Sequence, residues 1–299
     1  MTTRCGYIAL LGSPNAGKST LLNQLVGQKL AIVTPKAQTT RSRITGLVIH
    51  GQSQLIFVDV PGVFHPGESK KFEQAMVACA WSGVGDADVV LFLLDAKRGL
   101  DEENQQILER LKKTGKRASL VLNKVDLVAK EALLGLTAQA NEAFPFEATY
   151  MISALKGDGV DHLKDRLAQA VPESVWLFPE DHLTDLPSRL IASEITREKL
   201  FMLLREELPY SLMVETESWK EQKDGSIRIE QAIIVEREGQ KGIVLGKQGQ
   251  MLKRVGELAR AEIGELWQTN VHLFLFVKVK ENWKSAPDMY QYLGLDYKK

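Results

Sequence analysis

The sequence predicts an α/β domain on a six-stranded, mostly parallel sheet, followed by a smaller α+β module. Three observations carry that reading. Through residues 1–171, short apolar runs of strand length alternate with helical stretches, the βα rhythm of a doubly wound sheet. The stretch PESVWLFPEDHLTDLPSRL (172–190) then breaks the rhythm with Pro172, Pro179 and Pro187 and reads as a linker. Beyond it the order becomes helix, strand, strand, helix around a glycine clip, strand, placing a second module at 191–282 and a tail at 283–299.

Each element has its own signal. YIALLG (7–12) is a buried-strand candidate, and KSTLLNQLVG (18–27) is helical. RITGLVIH (43–50) and QLIFVDV (54–60) form a hairpin across Gly51-Gln52-Ser53. ADVVLFLLDA (87–96), RASLVLNKVD (117–126) and ATYMISA (148–154) complete the six strands, with helices between them. In the second module, LIASEITREKLFMLLREEL (190–208) is helical, with Ile191, Ile195, Leu200, Leu203 and Leu204 on roughly one face. YSLMVETESWK (210–220) and GSIRIEQAIIVERE (225–238) read as strands joined around Asp224-Gly225. VHLFLFVKV (271–279) reads as a last, buried strand. The tail ENWKSAPDMYQYLGLDYKK is expected to dock on the second module or to fray, its tyrosines serving as packing residues.

Composition narrows the function classes. Of 299 residues, 44% are hydrophobic and 25% charged, which favours packed cores over disorder. Lys and Arg number 38, as do Asp and Glu, so a nucleic-acid surface must be a local patch. Cys5 and Cys79 show neither framework nor metal spacing, which fits a reducing cytosol. His50, His65, His162, His182 and His272 are scattered without ligand spacing. The longest apolar run, VVLFLL (89–94), is far below the ~20 residues that span a bilayer. The expectation is a cytoplasmic protein, at most peripheral to a membrane.

GSPNAGKS (12–19) matches G-x-x-x-x-G-K-[ST] between a strand and a helix. Gly12 and Gly17 let the backbone wrap a phosphate, with Ser13, Pro14, Asn15 and Ala16 between them and Thr20 after. The loop amides and the helix N-terminus direct positive dipoles at that phosphate. Lys18 reaches the β- and γ-phosphate oxygens, and the Ser19 hydroxyl is suited to Mg²⁺. DVPG (59–62) ends an apolar strand: Asp59 holds the Mg²⁺ through water, Gly62 offers its amide to the γ-phosphate, and Val60 and Pro61 lie between. NKVD (123–126) selects the base. The Asp126 carboxylate accepts from the N1 and N2 donors of guanine, which adenine lacks. At about 1.5–3 kcal/mol per charged hydrogen bond, losing both gives a GTP-over-ATP selectivity on the order of 10²–10⁴. Lys124 lays its aliphatic stem on the purine, and Asn123 braces the loop against residues 12–19. Ser153 and Ala154, after the sixth strand, are placed for the Ala154 amide to meet guanine O6.

These three elements, in this order, resemble the translation-factor-related class of P-loop GTPases, whose G domain is Ras-like. The resemblance implies GTP hydrolysis, slow in the protein alone, with GTP or GDP and Mg²⁺ bound. Lys18, Thr40, Asp59 and Gly62 then fall at catalytic positions, and Ser19, Thr40 and Asp59 at the metal. KAQTTR (36–41) lies where such proteins carry switch I, so Thr40 completes the Mg²⁺ shell, with Thr39 as the competing assignment. Residues near 30–42 and 60–80 are held by γ-phosphate and Mg²⁺ and released on hydrolysis. Val63 stands where Ras-like proteins place the glutamine that orients attacking water, and valine has no such capacity. In some hydrophobic-substituted relatives, the asparagine matching Asn15 helps bind a potassium ion that acts like an arginine finger. The resemblance extends that expectation to Asn15.

GKQG (246–249) lacks the six-residue wrap and the Lys-[ST] of a second nucleotide loop. It has two residues between glycines, ahead of a helix with Leu252, Val255 and Ala259 at helical spacing. Bare backbone at Gly246 and Gly249 can touch a sugar–phosphate chain, as in the GxxG loop of a KH domain, which clamps about four single-stranded nucleotides. Glycine frequency alone predicts about one G-x-x-G in a chain of this size, and GQKG (239–242) is a second match. GKQG is preferred because it opens the long periodic helix. Lys247, Gln248, Lys253 and Arg254 join the two glycines as candidate RNA contacts, and Arg237, Lys241 and Arg260 add local positive charge against Glu238 and Glu257.

A Ras-like GTPase domain joined to a type II KH domain resembles the bacterial Era-family GTPases essentially end to end, on GSPNAGKSTLLN, KAQTTR, ASEITREKL, EELPYS, VEREGQK and VHLFLFVKVK. The resemblance implies a monomer that binds the 3′ end of 16S ribosomal RNA and acts in assembly of the small (30S) ribosomal subunit. It also implies peripheral contact with the inner face of the cell membrane. A membrane-associated signalling GTPase that uses the KH module for protein contacts is the alternative.

Overall fold

The computed structural model describes residues 2–34, 36, 39–63 and 71–297. Its contacts divide the chain into two compact units, one of residues 1–31, 40–185 and 291–299, the other of residues 32–39 and 186–290.

The first unit is built on six strands: β1 (Arg4–Leu11), β2 (Ile44–His50), β3 (Ser53–Asp59), β4 (Val89–Asp95), β5 (Ser119–Asn123) and β6 (Thr149–Met151). Their order in the sheet is β2-β3-β1-β4-β5-β6. The β2–β3 hairpin is antiparallel and every other pair is parallel. The central strands read as continuous apolar runs because both of their faces are covered. Phe57, Phe92, Leu91 and Leu120 are fully enclosed, each large side chain contributing about 1.5–3 kcal/mol by leaving water. α2 (Lys71–Asp86), α3 (Glu102–Thr114) and α4 (Lys130–Ala143) pack Val77, Ala80, Leu108, Leu111 and Leu136 on one face. α1 (Lys18–Val26) and α5 (Val160–Ala170) serve the other, burying Leu21, Leu22, Leu163 and Leu167. In such a sheet, ligands bind outside the carboxyl ends of the strands, where the strand order reverses. Those ends carry the loop after Leu11, Asp59, Asp95, Asn123 and Ser153.

Residues 172–185 of the proline-rich stretch are anchored within this unit, whereas 186–190 belong to the second and run into its first helix. The Gln54 side chain accepts the Leu177 and Phe178 N–H groups (2.8 and 3.0 Å) and donates to Phe178 O (2.7 Å). Leu47 N–H donates to Leu183 O, and the Thr184 hydroxyl to Thr45 O.

The second unit holds α6 (Ser188–Leu203), β7 (Leu212–Glu221), β8 (Ile227–Val235), α7 (Glu238–Leu245), α8 (Gln250–Trp267), β9 (Val271–Val279) and α9 (Pro287–Tyr292). The sheet order is β7-β8-β9, with β7–β8 antiparallel and β8–β9 parallel. One expectation needs correction. β9 is not a buried strand: it lies at the sheet edge, and its side chains alternate, with Phe274 40% and Phe276 48% exposed. A run as apolar as VHLFLFVKV imitates a two-sided core strand when a half-exposed strand carries aromatics on its open face. GQKG (239–242), set aside in favour of GKQG, lies inside α7, a short helix that the sequence reading did not place.

α6 also departs from the one-sided amphipathic helix. Besides Ile191, Ile195 and Leu200, it buries Glu194, Thr196, Arg197, Glu198 and Lys199. These polar groups are paired, as buried charge requires. Arg197 pairs with Glu194, while Lys199 pairs with Glu198 (2.9 Å) and with Glu262. Thr196 donates to Gln231 (2.6 Å), whose amide donates to Thr216 (3.2 Å). The tail divides: Trp283, Met289 and Tyr290 are buried in the second unit, whereas residues from Gln291 on, with Leu293 and Leu295 buried, belong to the first.

Candidate functional site: a phosphate loop and its base-binding partners

The loop after β1 wraps because its backbone takes unusual turns: Gly12 has φ +156, Asn15 +64 and Gly17 +98. Lys18 opens α1 but its side chain folds back, the ammonium donating to Gly12 O and Ser13 O, both 2.9 Å. Ser19, one residue on, donates to Asp59 Oδ2 (2.6 Å) and lies 2.9 Å from Thr40 Oγ1. Thr40 Oγ1 stands 3.5 Å from the same Asp59 oxygen. Asp59 reaches this place because the β1–β3 register sets it beside Leu10, level with the start of the loop.

This cluster is electrostatically loaded. Burial pulls the Lys18 ammonium down from the usual lysine range to about 8, against the opposing pull of Asp59 and Glu103. Burial also pushes Asp59 up to about 6, although Lys18, Ser19 and Thr40 all favour its charged form. Asp59 Oδ1 and Ser13 Oγ are buried with no hydrogen-bond partner among the described residues. Two hydroxyls and a buried carboxylate with one oxygen uncommitted form an all-oxygen donor set that fits Mg²⁺, which keeps most of its waters and takes one or two protein ligands. Thr40, and not Thr39, stands in this set. Thr39 Oγ1 instead donates to Lys36 O (2.8 Å) and meets Thr34 Oγ1 at 2.8 Å, inside the second unit.

The base loop is tied to the phosphate loop by side chains. Asn123, at the end of β5, donates to Ala16 O (2.8 Å), and its Oδ1 accepts the Ala154 and Lys124 N–H groups (2.9 and 2.8 Å). The bracing expected of Asn123 is thus present. The Ala154 amide, expected to await guanine O6, is already engaged by Asn123, so an incoming base must share or displace that bond. The Lys124 ammonium donates to Asn15 O (2.8 Å) and to Asp95 Oδ2 (2.7 Å). Asp126 lies 3.2 Å from Lys156 Nζ. The Ser153 hydroxyl above all, against an opposing push from burial and with help from Lys156, holds the Asp126 carboxyl below its usual range.

Among the segments singled out from sequence, Val60, Pro61 and Gly62 continue from β3, with Gly62 so close to the loop that a Cβ there would stand 3.0 Å from Pro14. Val63 is buried in the core cluster, with its N–H on Gly12 O (3.3 Å), which leaves it no part in orienting water. Ala37 and Gln38 of the expected switch I, residues 64–70 of the expected second switch, and His65 lie outside the described residues. Sequence reasoning missed Asp95 and Lys156. The one available signal was an aspartate closing a central parallel strand, at the end where ligands bind.

In the second unit, GKQG forms a tight turn between α7 and α8, with φ +70 at Gly246, +54 at Gln248 and +77 at Gly249. Lys247, Gln248, Lys253 and Arg254 are exposed, as is Arg260. Arg254 lies 3.6 Å from Glu257. Among the described residues no helix is long and apolar enough to cross a membrane.

Comparison with known proteins is consistent along the whole chain. The family model described as "50S ribosome-binding GTPase" matches residues 7–124, and the one described as "KH domain" matches residues 207–284. GTPase Era of Bradyrhizobium sp. (strain BTAi1) is 56% identical over 295 residues, covering 99% of this chain and 95% of the relative. GTPase Era of Brucella suis biovar 1 is 52% identical over 99% of this chain and 94% of its own length. Among solved structures, a variant of Aquifex aeolicus Era bound to GDP.AlF4- superposes with a TM-score of 0.93 at 40% identity, covering 98% of this chain and 99% of that one. Era in complex with MgGDPNP and nucleotides 1506-1542 of 16S ribosomal RNA gives the same TM-score, identity and coverage. A phosphate loop, a base loop and a KH module in one chain, at this identity from end to end, place the protein in the GTPase Era family, which hydrolyses GTP.

Proposed function

We propose that this protein is an RNA-binding GTPase that takes the 3′ end of 16S ribosomal RNA on its KH module during assembly of the small ribosomal subunit, and that its nucleotide state gates that binding. The observation that carries the reading is the end-to-end likeness to an Era captured with MgGDPNP and a 16S segment. Residues 1–171 serve as the GTP-binding domain and 191–282 as the KH module. The RNA backbone runs along Gly246, Lys247, Gln248 and Gly249 and the start of α8, where exposed Lys253 and Arg254 neutralise phosphates.

In the G domain, the loop amides of residues 12–19 bind the phosphates and Lys18 turns from its carbonyls to the β- and γ-oxygens. Ser19, Thr40 and Asp59 would hold Mg²⁺, which would supply charge neutralisation at the phosphates. Asp126, its carboxylate held by Ser153, and the Ala154 amide recognise guanine, and Asn15 is the residue through which a potassium ion would act. Membrane contact, if made, is peripheral and through charge.

Gating has support in how the chain is partitioned. The described residues before Thr40, 32–34, 36 and 39, belong to the second unit. There Lys36 donates to Phe201 O and to Leu204 O (2.5 Å) at the end of α6, Glu198 accepts the Val33 N–H (2.9 Å), and Arg197 holds Thr39 O. Thr40 is the next residue and lies with the Mg²⁺ set. A shift of Thr40 on γ-phosphate binding is therefore transmitted by one peptide bond to a segment anchored on the first helix of the second unit.

The test is GTP turnover with and without a single-stranded RNA matching the 16S 3′ end, in potassium buffer. A several-fold rise is expected. If the RNA binds with the same affinity to the GTP- and GDP-bound forms, gating falls, and if it does not bind, the RNA reading falls with it.

A further inference from the structure

Asp95 closes β4 and has no part in the site as motif reading builds it. Its side chain is 11% exposed, and its two oxygens are committed differently. Oδ1 accepts the N–H groups of Lys97 (2.9 Å) and Arg98 (3.4 Å), shaping the turn that follows the strand. Oδ2 faces the next strand and takes the Lys124 ammonium at 2.7 Å. That ammonium also donates to the carbonyl of Asn15 in the phosphate loop (2.8 Å). The β4–β5 register pairs Asp95 with Asn123, so the carboxylate sits directly beside the residue from which Lys124 springs. Lys124 itself has φ +62, a left-handed backbone that a lysine rarely adopts.

A lysine side chain has high rotamer entropy and no geometric preference of its own. Left alone at the edge of a loop, it would sample solvent. Here a fixed anion and a fixed carbonyl hold its tip, and the four-carbon stem is stretched between them and the strained backbone. We propose that Asp95 is a positioning residue for the nucleotide: by pinning the Lys124 ammonium against the phosphate loop, it holds the lysine stem as a preformed apolar shelf for the guanine face. The inference rests on the base loop being the guanine contact. Its benefit is pre-organisation, so its loss appears in how long nucleotide stays and not in which base is chosen.

The experiment is a double-mutant cycle on the full chain, read as dissociation of a fluorescent GDP analogue in stopped flow. Asp95→Asn keeps an oxygen for the Lys97 and Arg98 amides but removes the charge that holds Lys124. It is expected to speed dissociation about tenfold, the loss of one charge-assisted hydrogen bond. Lys124→Met is expected to have at least that effect, and the double variant to dissociate within twofold of Lys124→Met alone. The ratio of GDP to IDP affinity stays constant in Asp95→Asn, because Asp126 is untouched. If the effects of the two substitutions multiply, Asp95 acts by shaping the turn and the proposal is wrong. Dissociation from Asp95→Asn within twofold of the parent also overturns it. If Lys124→Met itself leaves dissociation unchanged, the base-loop reading has failed and the proposal goes with it. A thermal midpoint for nucleotide-free Asp95→Asn matching the parent is expected, and a fall beyond a few degrees together with multiplying effects assigns Asp95 to the fold.

Discussion

The chain contains two glycine loops that each open a helix, and they are built on opposite terms. The loop at residues 12–19 is enclosed: Lys18 is 5% exposed, its carbonyls and side chains are cross-tied to Asn123, Lys124 and Asp59, and burial perturbs both charges at its centre. GKQG is open, its Lys247 and Gln248 exposed. On the proposed reading, the difference is what each ligand demands. A nucleotide must be held in one geometry for chemistry, so donors are fixed in advance. A nucleic-acid backbone needs only close approach and positive charge, which two bare glycines at a helix N-terminus supply.

The sharpest way to separate the two is Lys18→Ala. Its buried ammonium is held by the Gly12 and Ser13 carbonyls, and exchanging these for two charge-assisted hydrogen bonds to phosphate, at about 1.5–3 kcal/mol each, sets the expected loss at about 10²–10⁴ in nucleotide affinity. GTP turnover should vanish in a phosphate-release assay. RNA affinity, measured without nucleotide by fluorescence anisotropy, should stay within twofold. A parallel fall in RNA binding would mean the two loops are one site.

The glycines themselves give a second, smaller contrast. A Cβ on Gly17 would lie 2.1 Å from Asn123 Nδ2, at φ +98, whereas one on Gly249, at φ +77, would meet nothing within 4 Å. Gly17→Ala must therefore displace the amide that braces Ala16 O, losing a buried hydrogen bond on top of backbone strain, about 2–5 kcal/mol together. Gly249→Ala carries the strain alone, about 1–2 kcal/mol. Urea unfolding of the two variants measures the gap. Equal losses would show that GKQG is packed as tightly as the phosphate loop.

This contrast also governs what was legible in the sequence. GSPNAGKS, DVPG and NKVD could be placed from residues alone because an enclosed site restricts both residue type and spacing. Even the bracing by Asn123 followed from that logic. GKQG fixes its two glycines but neither residue between them, so its rival GQKG could be set aside only by the helix that follows, and the structure shows that rival within α7. Asp95 was missed because a strand-end aspartate has no fixed spacing to the lysine it holds; that proximity comes from the β4–β5 register. The burial of Arg197, Glu198 and Lys199 was missed for a related reason. Their partners, Glu194 and Glu262 among them, cover a face that looks solvated when α6 is read by its apolar spacing alone. β9 erred in the other direction, since Phe274 and Phe276 imitate core on an open face.

The mildest substitution probes the open loop in its own terms. Lys247 sits between the two glycines and is exposed, and its side chain makes no hydrogen bond or ion pair among the described residues. If it contributes only charge, Lys247→Ala weakens RNA binding by a few-fold for every single-stranded sequence alike. It should also lower the slope of log affinity against log salt by about 0.7, the value for one phosphate contact on a single strand. Anisotropy titrations across a range of potassium chloride concentrations measure that slope. A loss confined to one RNA sequence, at unchanged slope, would instead make Lys247 a reader of bases, and GKQG would then be a built site like the phosphate loop and not a bare point of contact.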